Sequence, residues 1–337
     1  LFGVPLLVGV AVTALDTLVV LWLQRYGMRI LEALILSLVT VIGGCFLLEI
    51  VLARPVWTEV ASGLIPRLNA QSLYVAIGIL GATVMPHNLY LHSALVQTRR
   101  IGIGDAARRQ ACKYNLVDSV VALNAALLVN AAILVMAAAV FFKRGIAVTE
   151  IEQAQHLLAP LLGTQVASIA FAIALISSGQ SSTITGTMAG QIVMEGFLNI
   201  RLRPWVRRLV TRALAIIPAA ITIGAAGDEA TYKLLILSQV ILSLQLPFAV
   251  IPLIHFTSDR ERMGSFANRN WVKGLAWAAA IIIVGLNLRL VATTLGHWVE
   301  AAGRWAPLIQ FGVFPVVGAI GVLLGAVVGS TDAAAVF

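Results

Sequence analysis

Charged side chains are scarce in this chain. Only 11% of its 337 residues are Asp, Glu, Lys or Arg, whereas 60% are hydrophobic. Soluble domains carry about 25% charged residues, so this composition excludes them and predicts an all-α polytopic membrane protein. Two cysteines are too few for a disulfide framework. Paired carboxylates, an HExxH helix and a nucleophile elbow are also missing from the sequence, and we therefore expect no enzyme.

Long apolar runs occupy most of the sequence instead. A helix needs roughly 20 apolar residues to cross a bilayer. Nine runs are near or above that length: 3–23, 30–52, 73–99, 115–141, 162–198, 205–225, 231–254, 273–295 and 308–328. We therefore expect nine transmembrane helices in a single transmembrane domain over residues 1–337, with no soluble domain.

The net charge of +8 is distributed unevenly among the loops. Most Lys and Arg residues follow the odd-numbered runs, and the positive-inside rule places those loops in the cytosol. The basic charge thus reflects topology, and we expect no nucleic-acid partner. This topology puts residue 1 outside and the C-terminus in the cytosol. We expect the protein in the plasma or inner membrane. Since the chain begins with Leu1, we expect an odd number of further spans upstream of it.

One apolar run contains an unusual group of polar residues, from Gly81 to His92. Pro86 has no N–H, so it cannot donate to the carbonyl of Ala82, and a helix break is expected. The break would leave the Ala82 oxygen beside the Met85 sulfur, a donor pair suited to a transition-metal ion. A simple proline kink, with Met85 as core filler, is the alternative.

His87 and His92 are five residues apart, which makes them a poor bidentate metal pair. Each is equally well explained as a structural histidine or as a proton carrier. Asn88 lies between them. Further polar groups lie inside other apolar runs and mark a pathway or a structural contact. They are Asp16, Gln239, Asn287, the hydroxyl-rich stretch 177–190, and Arg207, Arg208 and Arg212 at the start of the sixth run.

Two long motifs carry a resemblance to a known family. Residues 81–97 (GATVMPHNLYLHSALVQ) and 179–191 (GQSSTITGTMAGQ) resemble the hallmarks of the NRAMP divalent metal transporters, and 15–17 and 237–240 also fit. The family has the LeuT-type inverted-repeat fold and co-transports Mn²⁺ or Fe²⁺ with protons. By this resemblance the chain contains family helices 4–12, and helices 1–3 would precede it.

The resemblance also implies roles for individual residues. Met85 would supply a sulfur ligand and Ala82 a backbone oxygen, and Gln239 would approach the ion in the occluded state. His87 and His92 would serve proton movement or gating. Arg207, Arg208 and Arg212 are candidates to bond carboxylates of the family's third helix, and Asn287 is a weaker candidate for the pathway. The family's Asp-Pro-Gly-Asn motif is absent from this sequence, so we expect half a metal site here and no transport by this chain alone.

The expected function is therefore proton-coupled secondary transport of Mn²⁺ or Fe²⁺ by alternating access. A sulfur ligand discriminates against Ca²⁺ and Mg²⁺ but excludes Cd²⁺, Co²⁺ and Zn²⁺ poorly. The expected partners are the metal ion, protons and the lipid bilayer, with a monomeric protein and no resident cofactor. A sodium-coupled carrier of organic solutes on the same fold is the alternative, since broken helices suit that activity too.

Overall fold

The structure is a computed structural model. It describes residues 27–65, 70–99, 101–148, 151–196 and 238–302, together with a few isolated helical positions. Every regular element in these ranges is a helix. The helices are α1 Met28–Ala53, α2 Trp57–Ser62, α3 Ala70–Thr83, α4 Pro86–Gln97, α5 Asp105–Val140, α6 Ile151–Leu162, α7 Gln165–Gly196, α8 Ser238–Ser258, α9 Arg260–Met263 and α10 Asn270–Ala302.

Six candidate membrane spans lie in the described ranges, and α3 and α4 together form one of them. They correspond to six of the nine apolar runs. The runs near 3–23, 205–225 and 308–328 fall almost entirely outside the described residues. Many large apolar side chains on these helices are exposed, among them Leu36, Leu47 and Leu128, as expected of surfaces that face lipid tails. The protein is a multi-pass membrane protein.

One compact unit contains α1, α2, α5, α6 and α7 up to Met188. Its core joins Phe46 of α1, Met136 and Val140 of α5, and Leu158 of α6, with small residues of α7 packed among them. Leu158 is completely buried. Helix α6 has its apolar residues on one face, so it covers this core although it is too short to span a bilayer.

The second compact unit contains α3, α4 and α8 to α10. Its core is formed by Leu73 and Ile77 of α3, Val240 of α8 and Leu290 of α10. Ile77 is completely buried. Leu73 and Ile77 are four residues apart and share a helical face, and this face positions the end of α3 against α8. The organisation as a single transport domain, with counterparts of family helices 4–12, stays a prediction.

Candidate functional site

The interruption expected around residues 82–87 is present between α3 and α4. The backbone N–H of Val84 still donates to the Leu80 carbonyl at 2.9 Å. Met85 is extended, with φ −77° and ψ 125°, and α4 begins at Pro86. Proline is favoured at the first position of a helix, since its fixed φ suits the helix and its missing N–H would have no partner there. The break therefore lies in the middle of the span that covers residues 72–97.

The side chains around the break differ in exposure. Pro86 is buried, while Ala82, Met85 and His87 are half-buried. Asn88 and His92 are exposed in the same helix, α4. Pro86 cannot donate to the Ala82 oxygen, so this carbonyl lacks its usual helical donor at the point where the Met85 thioether is only partly covered. The break thus exposes one hard and one soft donor on residues that are three positions apart.

Helices α3 and α8 meet at Gly81, one residue before Ala82. A β-carbon at residue 81 would collide with the Gln239 carbonyl oxygen and would lie 2.8 Å from the Ser243 nitrogen. Both neighbours are main-chain atoms, which cannot rotate away as a side chain can. Only glycine therefore permits this approach, and the approach places Gln239 next to the broken end of α3.

The carboxamide of Gln239 is only partly satisfied. Its Nε2 donates to the Ser238 hydroxyl at 3.1 Å. Its Oε1 is buried and, among the described residues, has no hydrogen-bond partner. A buried carbonyl oxygen without a donor is destabilising by about 1–3 kcal/mol unless a water molecule, a ligand or a cation approaches it. Because its residue lies where α8 crosses α3 at Gly81, shortly before the break, this oxygen is a candidate donor to a bound ion.

Asn287 of α10 has a different environment, because it joins two helices. The Ser243 hydroxyl donates to Asn287 Oδ1 at 3.2 Å, and Asn287 Nδ2 donates to the Ser243 carbonyl at 3.1 Å. The same Nδ2 also donates to the Ile283 carbonyl at 3.0 Å. Both Asn287 and Ser243 are buried. Asn287 therefore makes a structural contact between α8 and α10 in this conformation.

The hydroxyl-rich stretch of α7 also bonds mainly within its own helix. Thr185 Oγ1 donates to the Ser181 carbonyl at 3.0 Å, and Thr187 Oγ1 to the Thr183 carbonyl at 2.7 Å. A β-carbon at Gly179 or Gly186 would meet nothing within 4 Å. In the described part of the chain, these two glycines therefore make no close contact with another helix.

Several predicted residues fall outside the described residues. They are Asp16, Arg207, Arg208 and Arg212. Within the described ranges there is no group of three or more His, Cys, Asp and Glu side chains that could hold a metal. The structure thus brings Ala82, Met85 and Gln239 into one unit around the α3–α8 crossing, and the ligand roles themselves stay predictions.

One residue was missed by the sequence reasoning. The apolar run 30–52 contains two carboxylates, Glu32 near its start and Glu49 near its end. The Glu49 side chain is completely buried, and neither carboxylate oxygen has a hydrogen-bond partner in the described part of the chain. A lone ionisable residue within a membrane span is a functional candidate by default, so its position in the sequence was sufficient to find it.

A bundle of apolar helices in which one span is interrupted at its middle is typical of secondary transporters. Residues 1–293 match the family described as Natural resistance-associated macrophage protein-like, abbreviated Nramp. The chain belongs to the Nramp family, which confirms the resemblance that the two sequence motifs carry.

Curated relatives agree with this assignment. The chain is 55% identical over 303 residues to a divalent metal cation transporter MntH of Nostoc sp., covering 88% of this chain and 69% of that protein. It is 55% identical over 296 residues to the MntH of Brucella suis, covering 86% and 65%. It is 54% identical over 294 residues to a natural resistance-associated macrophage protein 2 homolog of Dictyostelium discoideum, covering 86% and 47%. The chain therefore spans about half to two thirds of the length of these relatives.

A solved structure supports the fold. The manganese transporter of Eremococcus coleocola, crystallised with an aromatic bis-isothiourea substituted compound, matches with a TM-score of 0.81 at 35% identity. The match covers 100% of this chain and 74% of that chain. The predicted fold class, an all-α membrane protein with part of a LeuT-type helical bundle, is thus confirmed.

Proposed function

We propose that this chain forms the larger part of a proton-coupled secondary transporter for Mn²⁺ and Fe²⁺, which works by alternating access. The relatives named as divalent metal cation transporters and the manganese transporter with the same fold support the class of cargo. The observation that carries the proposal is the break at Val84–Met85, which follows shortly after Gly81, where α3 closely approaches the main chain of Gln239.

In the proposed site the metal ion binds near the break. The Met85 sulfur and the Ala82 carbonyl would be two of its ligands, and Gln239 Oε1 would approach the ion as the site closes around it. The sulfur favours transition metals over Ca²⁺ and Mg²⁺, because those ions prefer shells made only of oxygen. Cd²⁺, Co²⁺ and Zn²⁺ would compete, since their affinities for such donors equal or exceed that of Mn²⁺.

The proton pathway is proposed to involve His87 and His92, with Arg207, Arg208 and Arg212 as candidates for carboxylate partners. Both histidines lie on α4, which begins at the break, and His87 is half-buried whereas His92 is exposed. We place the protein in the plasma or inner membrane as a monomer with a cytosolic C-terminus, following the distribution of basic loops.

Substitution of Met85 tests the metal site in the full-length protein. With Met85→Ala, Mn²⁺ uptake should persist while the discrimination against Ca²⁺ falls, because the remaining donors are oxygens. Met263→Ala is the matched control, since Met263 lies on α9 with 38% of its surface exposed. Flux assays with both ions measure the ratio, and unchanged rejection of Ca²⁺ by Met85→Ala would contradict the ligand role.

Calorimetric titration separates the proposal from its alternative. The full-length protein should bind Mn²⁺ and should show no heat of binding with amino acids in the presence of Na⁺. Binding of amino acids without binding of Mn²⁺ would favour a sodium-coupled carrier of organic solutes.

A further inference from the structure

Glu49 lies in the last turns of α1, on a face that packs into the core of the first compact unit. Its neighbours on this face, Cys45 and Phe46, belong to or pack against the cluster that also contains Val140 of α5 and Leu158 of α6. The side chain of Glu49 has no exposed surface. The carboxyl group is therefore shielded from solvent on a helix that is long and apolar enough to span the membrane.

No positive charge compensates this carboxyl group among the described residues. Arg54 directly follows α1, and Lys143 and Arg144 follow the end of α5. All three of these cations are exposed. Lys143 Nζ pairs with Glu59 at 3.0 Å, and Arg144 donates to the Leu161 carbonyl at 2.9 Å. Glu49 itself forms no ion pair with any residue that the structure describes.

The helices packed against this core contribute few ionisable groups. On α1 the Cys45 thiol lies one turn before Glu49. Helix α5 carries none between Asp118 and Lys143, and α7 carries none between Gln165 and Gly190. Helix α6 carries Glu152 and His156, and both are exposed. With respect to the residues that the structure describes, ionised Glu49 would therefore be a buried, unpaired charge, which proteins avoid by neutralising the group.

We propose that Glu49 is a proton-binding residue, which holds its proton while α1 stays packed against α5 and α6. The charge distribution among the loops places this end of α1 at the outer side of the membrane, so the proton would come from outside. Separation of the helices would hydrate the carboxyl group, its O–H bond would break, and the proton would pass to water. A role of Glu49 in coupling proton movement to metal transport rests on the function proposed above, whereas proton binding by Glu49 does not.

Infrared spectroscopy of the full-length protein in lipid nanodiscs tests the bound proton. At neutral pH the wild type should show a carboxylic-acid C=O band that shifts in D₂O, and Glu49→Gln should lack it. Glu59→Gln is the matched control, since Glu59 is 61% exposed and paired with Lys143. This variant should keep the acid band and lose carboxylate absorption. An acid band that persists unchanged in Glu49→Gln would overturn the proposal.

A measurement on the wild type alone covers the case in which Glu49→Gln does not fold. With glutamate labelled with ¹³C at its carboxyl carbon, the spectrum at neutral pH should contain a protonated carboxyl signal. If every labelled glutamate is ionised, the proposal fails whatever the variants do.

Uptake measurements test the role in coupling. Mn²⁺ uptake by Glu49→Gln should lose most of its dependence on external pH, whereas Glu59→Gln should retain the wild-type profile. An unchanged profile in Glu49→Gln would overturn the coupling role. Because Mn²⁺ binding at Met85 is measured separately by titration, failure of the metal site and failure of the proton site give different results.

Discussion

Gly81 of α3 lies directly against the main chain of Gln239 in α8. A β-carbon at residue 81 would stand 3.0 Å from the Gln239 carbonyl carbon and would overlap the carbonyl oxygen. The absence of a side chain at Gly81 thus allows the broken helix to touch α8 at Gln239, whose Oε1 has no hydrogen-bond partner among the described residues.

Gly81→Ala should therefore disrupt this crossing. The added methyl group collides with backbone atoms, and overpacking of this kind destabilises a protein by about 1–3 kcal/mol or more. Thermal unfolding in detergent should show a lower Tm, and Mn²⁺ uptake should be lost. Gly78→Ala is the control one turn earlier, because its β-carbon would meet only Val240 and Ile236 side chains at 3.7 and 3.8 Å. Equal Tm values for the two variants would contradict the close approach.

Gln239→Leu should weaken Mn²⁺ binding while it preserves the packing volume. The variant removes the one buried oxygen of this side chain that is available to an ion, and we expect about tenfold weaker binding, or about 1.4 kcal/mol. Gln245→Leu is the control, since Gln245 is an exposed glutamine on the same helix. Calorimetric titration measures both, and equal affinities would remove Gln239 from the site.

Pro86→Ala should also reduce metal affinity, for a different reason. The new N–H can donate to the Ala82 carbonyl, and such a hydrogen bond is worth about 0.5–1.5 kcal/mol. The carbonyl would then be less available to the ion, which predicts an affinity about two- to tenfold lower. Pro160→Ala, in α6 of the other unit, should leave the affinity unchanged. Undiminished binding by Pro86→Ala would argue against the Ala82 oxygen as a ligand.

Asn287→Ala should lower stability through the loss of its contact with Ser243. A double-mutant cycle with Ser243→Ala should give a coupling energy of about 0.6 kcal/mol, the average for hydrogen bonds between membrane helices, and at most about 1.7 kcal/mol. Asn124 offers a control, because its exposed amide donates to the Val120 carbonyl of its own helix at 2.8 Å. Coupling near zero would show that the bond between α8 and α10 contributes nothing.

Lys143→Ala should have little effect on stability. Its ion pair with Glu59 is short, at 3.0 Å, but both side chains are more than half exposed. Water and salt screen such pairs, so the expected change is about 0–1 kcal/mol. Denaturation at low and high salt measures it, and a loss above about 2 kcal/mol would mean that the pair is buried in the working protein.

Sequence alone was sufficient for the helical class, the six described spans and the helix break. It also indicated the Nramp family, through two motifs in the expected order. It was less informative about individual polar residues. Asn124 and Asn287 are both amides in apolar runs, yet of these two only Asn287 bonds to a second helix among the described contacts. The position of Glu49 inside an apolar run can be read from the sequence, whereas the burial of its side chain cannot.

Local features of this protein follow from the order of its residues. The number of consecutive apolar residues sets the length of a span, and the missing N–H of Pro86 breaks the helix wherever that helix packs. The packed helices were needed to show that Gly81, and not Gly78, is the point of closest approach. They were also needed to show that Glu49 is buried and has no counter-charge among the residues that the structure describes. These properties depend on where helices distant in sequence cross, and helical periodicity gives a residue's face without naming the partner that covers it.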